Sequence, residues 1–406
     1  MQGVKLAGTI LLGIVALLIS GCGALGTNSG GPPPPGQVKV DAPGADGAFY
    51  DAGSGWVSAG SPANFSFTAS GAYKVALHCP GSVSGSGYFV YALTTAEVTH
   101  LYHPCPNSAS TIMFMVNYDV SAISGAMGAK LAHKASGFFP TDAGSGATGS
   151  ITVYGGISGP QDLVLLAVDG SNNVLAAKLW TANVQAGQTY NFPALTGSDA
   201  VSQSGTFPNF SSIVPAGWSY GWSAHGVTPN NTVVLAGTDT PGTWHYYEFP
   251  FADRYLYGAY ATNTVNETIF FFENRSASAG TPTVAFPQRV QFTFTRAQGK
   301  FTGLLNTTQL SLYTFKLSWG VDRTELVSKG YLGNATTYQL ATMPGAFSAA
   351  DGYKTTTTNG TVTTTYVSTN KGLQEMLDSA MQNGTTWGSI LVDGIQIQKA
   401  EKEDTF

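Results

Sequence analysis

Short runs of alternating apolar and polar residues recur along most of the chain, separated by glycine, serine and proline. A period of two is typical of half-buried β-strands, and strand-like runs every 8–12 residues or so are typical of β-sandwich modules. The clearest runs lie at 38–40, 64–67, 73–77, 88–91, 111–116, 151–154, 162–168, 174–180, 289–294 and 310–319. The pattern predicts an all-β protein built from tandem sandwich-like modules.

The last third of the chain carries three further strand predictions. Residues 310–319 alternate cleanly, which predicts a strand buried on one face only. The threonine-rich run 354–369 has high β-propensity but little apolar content, so it predicts an exposed hairpin around Asn359 and Gly360. Two short runs at 389–392 and 395–398 predict a final hairpin before a charged tail.

One stretch has a helical period instead. Its apolar residues fall at positions i, i+3, i+4, i+7 and i+8, namely Leu373, Met376, Leu377, Ala380 and Met381, and Gly384 follows. We therefore expect one substantial C-terminal helix near residues 371–382.

The first 22 residues read as an export signal. Lys5 precedes the apolar run 6–20, and the sequence Ile-Ser-Gly-Cys ends at Cys22. This ending resembles the lipobox of bacterial lipoproteins, which implies a cleaved signal peptide at 1–21 and a diacylated Cys22 that holds the chain on a membrane. An ordinary secretory signal and a retained transmembrane helix are the alternatives, although the apolar run is short of the roughly 20 residues that a span needs.

The lipobox resemblance also implies a location. Gly23 stands where an aspartate commonly marks retention at the inner membrane, so the outer membrane is favoured in a cell that has one. The proline- and glycine-rich segment 22–36 has too little apolar surface to pack, and it predicts a flexible tether. The expected partner is a membrane, reached through the lipid at the cell envelope.

We divide the rest into modules at 37–108 and 109–197 and an aromatic-rich region, 198–406, of one or two modules. In each of the first two modules a turn opens into an alternating strand, at 70–75 and 186–192. These stretches are similar to carboxypeptidase-regulatory-like and Ig-like β-sandwich modules. The resemblance implies a sandwich and carries no active residues with it.

The composition argues against nucleic-acid binding and indicates a disulfide. Only 10% of residues are charged and the formal net charge is −5, so there is no basic field to hold nucleic acid. If Cys22 carries lipid, the other two of the three cysteines, Cys79 and Cys105, form an even pair that predicts a disulfide in an oxidising compartment. A metal site that combines these cysteines with His78, His100 and His103 is the alternative.

Three local patterns contain residue types that are used in catalysis or metal binding. Ser219 lies in a Gly-x-Ser-x-Gly pattern that His225, Asp239 and His245 follow, but the helix-like sequence that a nucleophile elbow requires after the serine is absent. Glu267 and Glu273 would stand about 20 Å apart on one strand, too far for a glycosidase pair. Asp169 and its polar neighbours lack the EF-hand spacing and predict a turn. No catalytic residue, cofactor or metal is predicted.

Aromatic residues offer the best candidate binding surface. Trp218, Tyr220 and Trp222 share one face if their segment is extended, and Trp244 and Tyr246 have the same spacing. Flat rings suit the apolar face of a sugar, whereas the alternative is a buried core face. The sequence thus predicts a lipid-anchored envelope protein with a non-catalytic structural or interaction role. Surface carbohydrate binding is the first alternative and an envelope hydrolase the second.

Overall fold

The structure, a computed structural model, describes residues 35–80, 87–105, 112–136, 142–238, 244–355, 359–383 and 386–406. It is mostly β, in several sheets, which confirms the all-β prediction. Among the described residues, helices long and apolar enough to cross a bilayer are absent. Cys22 and most of the predicted tether lie outside this part of the chain.

The described residues contain twenty-seven strands. The strands within residues 37–105 are β1 Gln37–Asp41, β2 Gly47–Asp51, β3 Val57–Ser58, β4 Asn64–Thr68, β5 Ala72–Cys79, β6 Gly87–Thr94 and β7 His100–Tyr102. Those within 112–191 are β8 Ile112–Asp119, β9 Gly128–Ala132, β10 Asp142–Ser145, β11 Thr148–Gly156, β12 Gly159–Val168, β13 Val174–Val184 and β14 Thr189–Asn191. The remainder are β15 Gly205–Thr206, β16 Ser219–Val227, β17 Val233–Thr238, β18 His245–Tyr246, β19 Arg254–Thr262, β20 Glu267–Ser276, β21 Thr293–Thr295, β22 Lys300–Thr302, β23 Leu312–Ser318, β24 Asp322–Ser328, β25 Thr337–Gln339, β26 Thr361–Thr369 and β27 Gln396–Thr405.

Two α-helices interrupt the strands of the described chain: α1, the four residues Lys329–Leu332, and α2, the eleven residues Leu373–Asn383. Helix α2 confirms the predicted C-terminal helix, and its buried Met376 and Ala380 face the core. The 3₁₀ segments are Gly197–Asp199, Ser211–Ile213, Ala277–Ala279, Arg296–Gln298, Gly345–Lys354 and Thr386–Leu391.

The largest sheet has twelve strands in the order β17-β16-β19-β20-β27-β26-β23-β24-β6-β5-β2-β3. All neighbours are antiparallel except β24 and β6, which pair in parallel with Leu326 opposite Tyr91. The sheet therefore joins strands from the predicted 37–108 module to strands from the 198–406 region. The proposed module boundaries themselves stay predictions.

Near the N-terminal end of the described chain, the three-stranded sheet β4-β1-β7 packs on β5 and β6 of the large sheet. The inward residues of alternating strands supply this core, including Val38, Val40, Tyr73, Val75 and Leu77. This is a two-layer sandwich in which one layer continues into the rest of the molecule.

Residues 112–195 form a second sandwich from the sheets β11-β8-β14 and β10-β9-β12-β13. Strand β12 is buried on both faces. Leu163 and Leu165 pack inside this sandwich, whereas Val164 and Leu166 point outward into a core that also contains Trp222 of the large sheet. The two sheets of the second sandwich and the large sheet thus form three stacked layers. An uninterrupted apolar run such as that of β12 is typical of a strand covered on both sides.

The threonine-rich run does not form an exposed hairpin, so that prediction is wrong. Strand β26 lies inside the large sheet between β23 and β27, and its Thr364 and Thr365 are fully buried. The hydroxyls of Thr363 and Thr365 donate hydrogen bonds to the carboxylates of Glu403 and Glu401, 3.2 Å away in each case. The pairing of threonines with acids on β27 replaces the apolar contacts that the sequence lacks.

Three neighbouring predictions also need correction. The charged tail is part of β27, and residues 386–391 are 3₁₀ rather than strand, so the final hairpin is absent. The 289–294 run contributes strand only from Thr293. The 310–319 strand is buried on both faces from Leu312 to Phe315, because other segments cover both sides of the large sheet at this point.

Candidate functional site

The predicted disulfide is present. Cys79 ends β5, Cys105 follows β7, and their Cα atoms lie 5.3 Å apart across a sequence separation of 26 residues. The backbone amides of His103 and Cys105 donate to carbonyls of Asp41 and Pro43, which continues the register of β7 along β1 as far as the bond. Both cysteines are fully buried in the first sandwich.

A buried histidine lies directly against this disulfide. Its Nε2 is 3.4 Å from Sγ of Cys79, and its Nδ1 shares a 2.5 Å hydrogen bond with the hydroxyl of Tyr91. This residue, His103, also packs on the ring of Phe89 at a centroid distance of 4.4 Å. Burial lowers the pKa of His103 to about 3, so its imidazole is uncharged at neutral pH.

The histidines that the sequence grouped with the cysteines do not all converge. His78 lies on the opposite face of β5, where it bonds to Asp46 at 2.5 Å and contacts Tyr88. His100 bonds to Asp41 at 2.6 Å. Within the described chain, one group of three His, Cys or acidic residues has its ligand atoms mutually within 4.8 Å: Cys79, His103 and Cys105.

Two of the five candidate aromatic residues belong to the core. Trp222 is only 2% exposed and stacks on Phe207 at 4.8 Å, in the layer between the second sandwich and the large sheet. Tyr246 is also buried, and its hydroxyl shares a 2.9 Å hydrogen bond with that of Tyr257. These two rings are inaccessible to a ligand on the surface.

The other three reach the surface. Tyr220 is 41% exposed and lies nearly parallel to Trp244 at a centroid distance of 6.4 Å. Phe210 supports both rings from below, edge-on, at 5.6 and 5.5 Å. Half-buried Trp218 precedes the strand and lies under the guanidinium of Arg289 at 5.3 Å. We call Tyr220 and Trp244 the aromatic surface.

The other residues that the sequence singled out for catalysis or metal binding do not form a site. Exposed Ser219 and buried His225 lie six positions apart on β16, which is roughly 20 Å along a strand. Glu267 and Glu273 are separated in the same way on β20, where Glu267 pairs with Arg289 and Glu273 with Arg275. Asp169 accepts hydrogen bonds from the amides of residues 171 and 173, as expected for a turn.

A polar cleft of about 550 Å³ separates helix α2 from residues 229–231 and 391–392. Several of its polar groups bond to one another. Arg254 donates to the carbonyl of Leu391 at 2.9 Å and to the side chain of Asn231 at 2.6 Å, and Asn231 donates to Asn383 at 2.9 Å. These bonds hold the walls of the cleft together.

The chain matches neither any of the protein-family models against which it was scanned nor any of the curated proteins that were searched. The sites must therefore be judged from their geometry. Sequence reasoning missed Tyr91, which fixes His103, and Phe210, which supports the aromatic surface. Neither residue has a local signal, because each meets its partner only through long-range packing.

Proposed function

We propose that the protein is exported, anchored by lipid at Cys22, and acts at the cell envelope as a non-catalytic structural or interaction protein. The observation that carries this proposal is the fully buried Cys79–Cys105 disulfide. Disulfides persist in oxidising compartments and are rare in the cytosol. This agrees with an N-terminal sequence that resembles a lipoprotein signal.

The non-catalytic part of the proposal is supported by where the candidate groups lie. Ser219 and His225 are six positions apart on one strand, and the two glutamates each pair with a different arginine. A nucleophile and its base must approach within hydrogen-bond distance, and glycosidase carboxyls must stand within about 10 Å of each other. These residues meet neither requirement.

The test of anchoring is Cys22→Ser in a bacterial host that processes lipoproteins. Two acyl chains or more give stable membrane attachment, whereas none gives no attachment. We expect the wild type in the detergent-extractable membrane fraction, and the variant either released or retained with its signal uncut. Equal fractionation and equal electrophoretic mobility of the two proteins would contradict the proposal.

A second candidate function, carbohydrate binding, is favoured by the aromatic surface. The exposed ring of Tyr220 beside half-buried Trp244 is an arrangement on which a sugar ring can stack. Tyr220→Ala should abolish binding on a glycan array while the protein remains folded. Tyr154, which is 75% exposed on β11, provides the matched control, and Tyr154→Ala should bind as the wild type does. Binding that survives Tyr220→Ala would exclude this surface.

A further inference from the structure

Two sulfur atoms and one imidazole nitrogen converge in the core of the first sandwich. Cys79, His103 and Cys105 are all fully buried, and their ligand atoms lie within 4.8 Å of one another. The disulfide explains the proximity of the two sulfurs, but it does not require a histidine whose Nε2 is directed at one of them. The three side chains together form a donor set of two sulfurs and one nitrogen.

The spacing agrees with that of a metal site. A metal ion held at about 2.3 Å from sulfur and about 2.0 Å from nitrogen places those two ligand atoms roughly 3.6 Å apart. The observed separation between Nε2 of His103 and Sγ of Cys79 is 3.4 Å. The Cβ atoms of a disulfide stand about 3.8 Å apart. If the disulfide is reduced and the two Cβ–Sγ bonds lie parallel, the sulfur atoms are also about 3.8 Å apart, which is close to the separation of two sulfur ligands of one metal ion.

We propose that reduction of the disulfide converts Cys79, His103 and Cys105 into a binding site for one Cu⁺ ion. Thiolate sulfur is a soft ligand that selects Cu⁺, and imidazole is also a copper ligand. A structural zinc site closes with four ligands, whereas three side chains of this type converge here within the described part of the chain. Three ligands in a dry core favour the monovalent copper ion.

Binding of Cu⁺ requires two steps, reduction of the disulfide and coordination of the metal ion. A dithiol reductant donates two electrons and two protons, which break the sulfur–sulfur bond, and the reductant closes into its own disulfide. The two cysteine thiols then lose their protons to solvent as Cu⁺ binds, because the thiolate is the metal ligand. Copper keeps its oxidation state throughout.

Tyr91 supports the proposed site from behind. Its hydroxyl is 2.5 Å from Nδ1 of His103, and it holds the ring with Nε2 directed at the sulfurs. Metal-bound histidines almost always bond through their second nitrogen in this way, and loss of such a partner typically weakens metal binding 10–100-fold. Tyr91 is a positioning residue in this arrangement.

The experiment is an anaerobic competition for Cu⁺ between the purified protein and a chromophoric chelator. Phosphine-reduced protein should take up one equivalent, and oxidised protein none. His103→Phe, or His103→Gln if the first variant does not fold, should bind at least about tenfold more weakly, and Tyr91→Phe about tenfold more weakly. His78→Phe, beside Cys79 but on the opposite face, is the control and should bind normally. X-ray absorption should show two sulfur ligands and one nitrogen ligand.

Four results would overturn the proposal. They are reduced wild type that takes up no Cu⁺, both His103 variants binding as tightly as wild type, a preference for Zn²⁺ over Cu⁺, and loss of the folded state on reduction as seen by circular dichroism. The last result counts against the proposal because the site exists only in the folded sandwich.

Discussion

Replacing Trp222 with alanine should destabilise the protein strongly, because its ring fills the layer between the second sandwich and the large sheet. A buried tryptophan removes about 150–250 Å² from water, worth roughly 4–6 kcal/mol at about 25 cal/mol per Å². Measured truncations of this kind cost about 3–5 kcal/mol. With Trp222 only 2% exposed and stacked on Phe207, we expect a loss of about 4 kcal/mol.

The assay is thermal unfolding followed by near-ultraviolet circular dichroism, in parallel with Tyr220→Ala. For a folding unit of about 150–250 residues, each kcal/mol lowers the Tm by about 2–4 °C, so Trp222→Ala should lose roughly 8–16 °C. Tyr220 is 41% exposed and should lose about half as much. If Trp222→Ala melts no lower than Tyr220→Ala, the packing of the second sandwich on the large sheet is wrongly assigned.

Three further changes test other parts of the fold. The double variant Cys79→Ser/Cys105→Ser opens a loop of 26 residues and should lower the free energy of unfolding by about 3 kcal/mol. Glu325→Met leaves the fully buried Arg323 without its main partner and should cost about 3 kcal/mol. Asp162→Asn should cost about 2 kcal/mol at pH 7, and the cost should shrink below about pH 4.

The surroundings of Asp162 explain why Asp162→Asn should cost less stability at low pH. Burial opposes its ionisation, but hydrogen bonds from Thr228, Asn230 and Thr181 outweigh burial and lower its pKa below 3.8. A lowered carboxyl pKa stabilises the folded state above the unfolded pKa, and this contribution is lost as the pH falls through the folded pKa. Urea unfolding of the wild type and of Asp162→Asn at pH 7 and pH 3 measures the stability lost in the variant. A loss that is equal at the two pH values would contradict the prediction.

A double variant provides the control for the buried ion pair between Arg323 and Glu325. Arg323 also bonds to Asp351 at 2.5 Å, and the replacement of both members of the pair by apolar residues removes the stranded charge. Arg323→Met/Glu325→Met should therefore recover most of the stability lost in Glu325→Met. Chemical denaturation compares the two variants, and equal losses in both would show that the pair is not the source of the effect.

Local periodicity in the sequence was enough to predict helix α2 and several of the strands, among them β5, β8, β12 and β23. Alternation and an i, i+3, i+4 pattern depend only on residues that are close together in the sequence. The parallel pairing of β24 with β6 joins residues more than two hundred positions apart. No local pattern contains that information.

The burial of individual residues was harder to predict than their conformation. Tyr220 and Trp222 are two positions apart on the same strand, yet one is exposed and the other buried, because packing from the second sandwich buries only the latter. The polarity of Thr364 and Thr365 predicts that both are exposed, whereas both are buried. Both are buried because β26 lies between β23 and β27, and Glu401 of β27 accepts a hydrogen bond from the hydroxyl of Thr365, which the sequence of β26 alone does not show.

The most direct test of the central claim is the intact mass of the protein extracted from the membranes of a host that processes lipoproteins. The account predicts a chain that begins at Cys22, with acyl groups attached there and a disulfide between Cys79 and Cys105. A mass that corresponds to the full 406 residues, or to a cleaved chain without lipid, would contradict it.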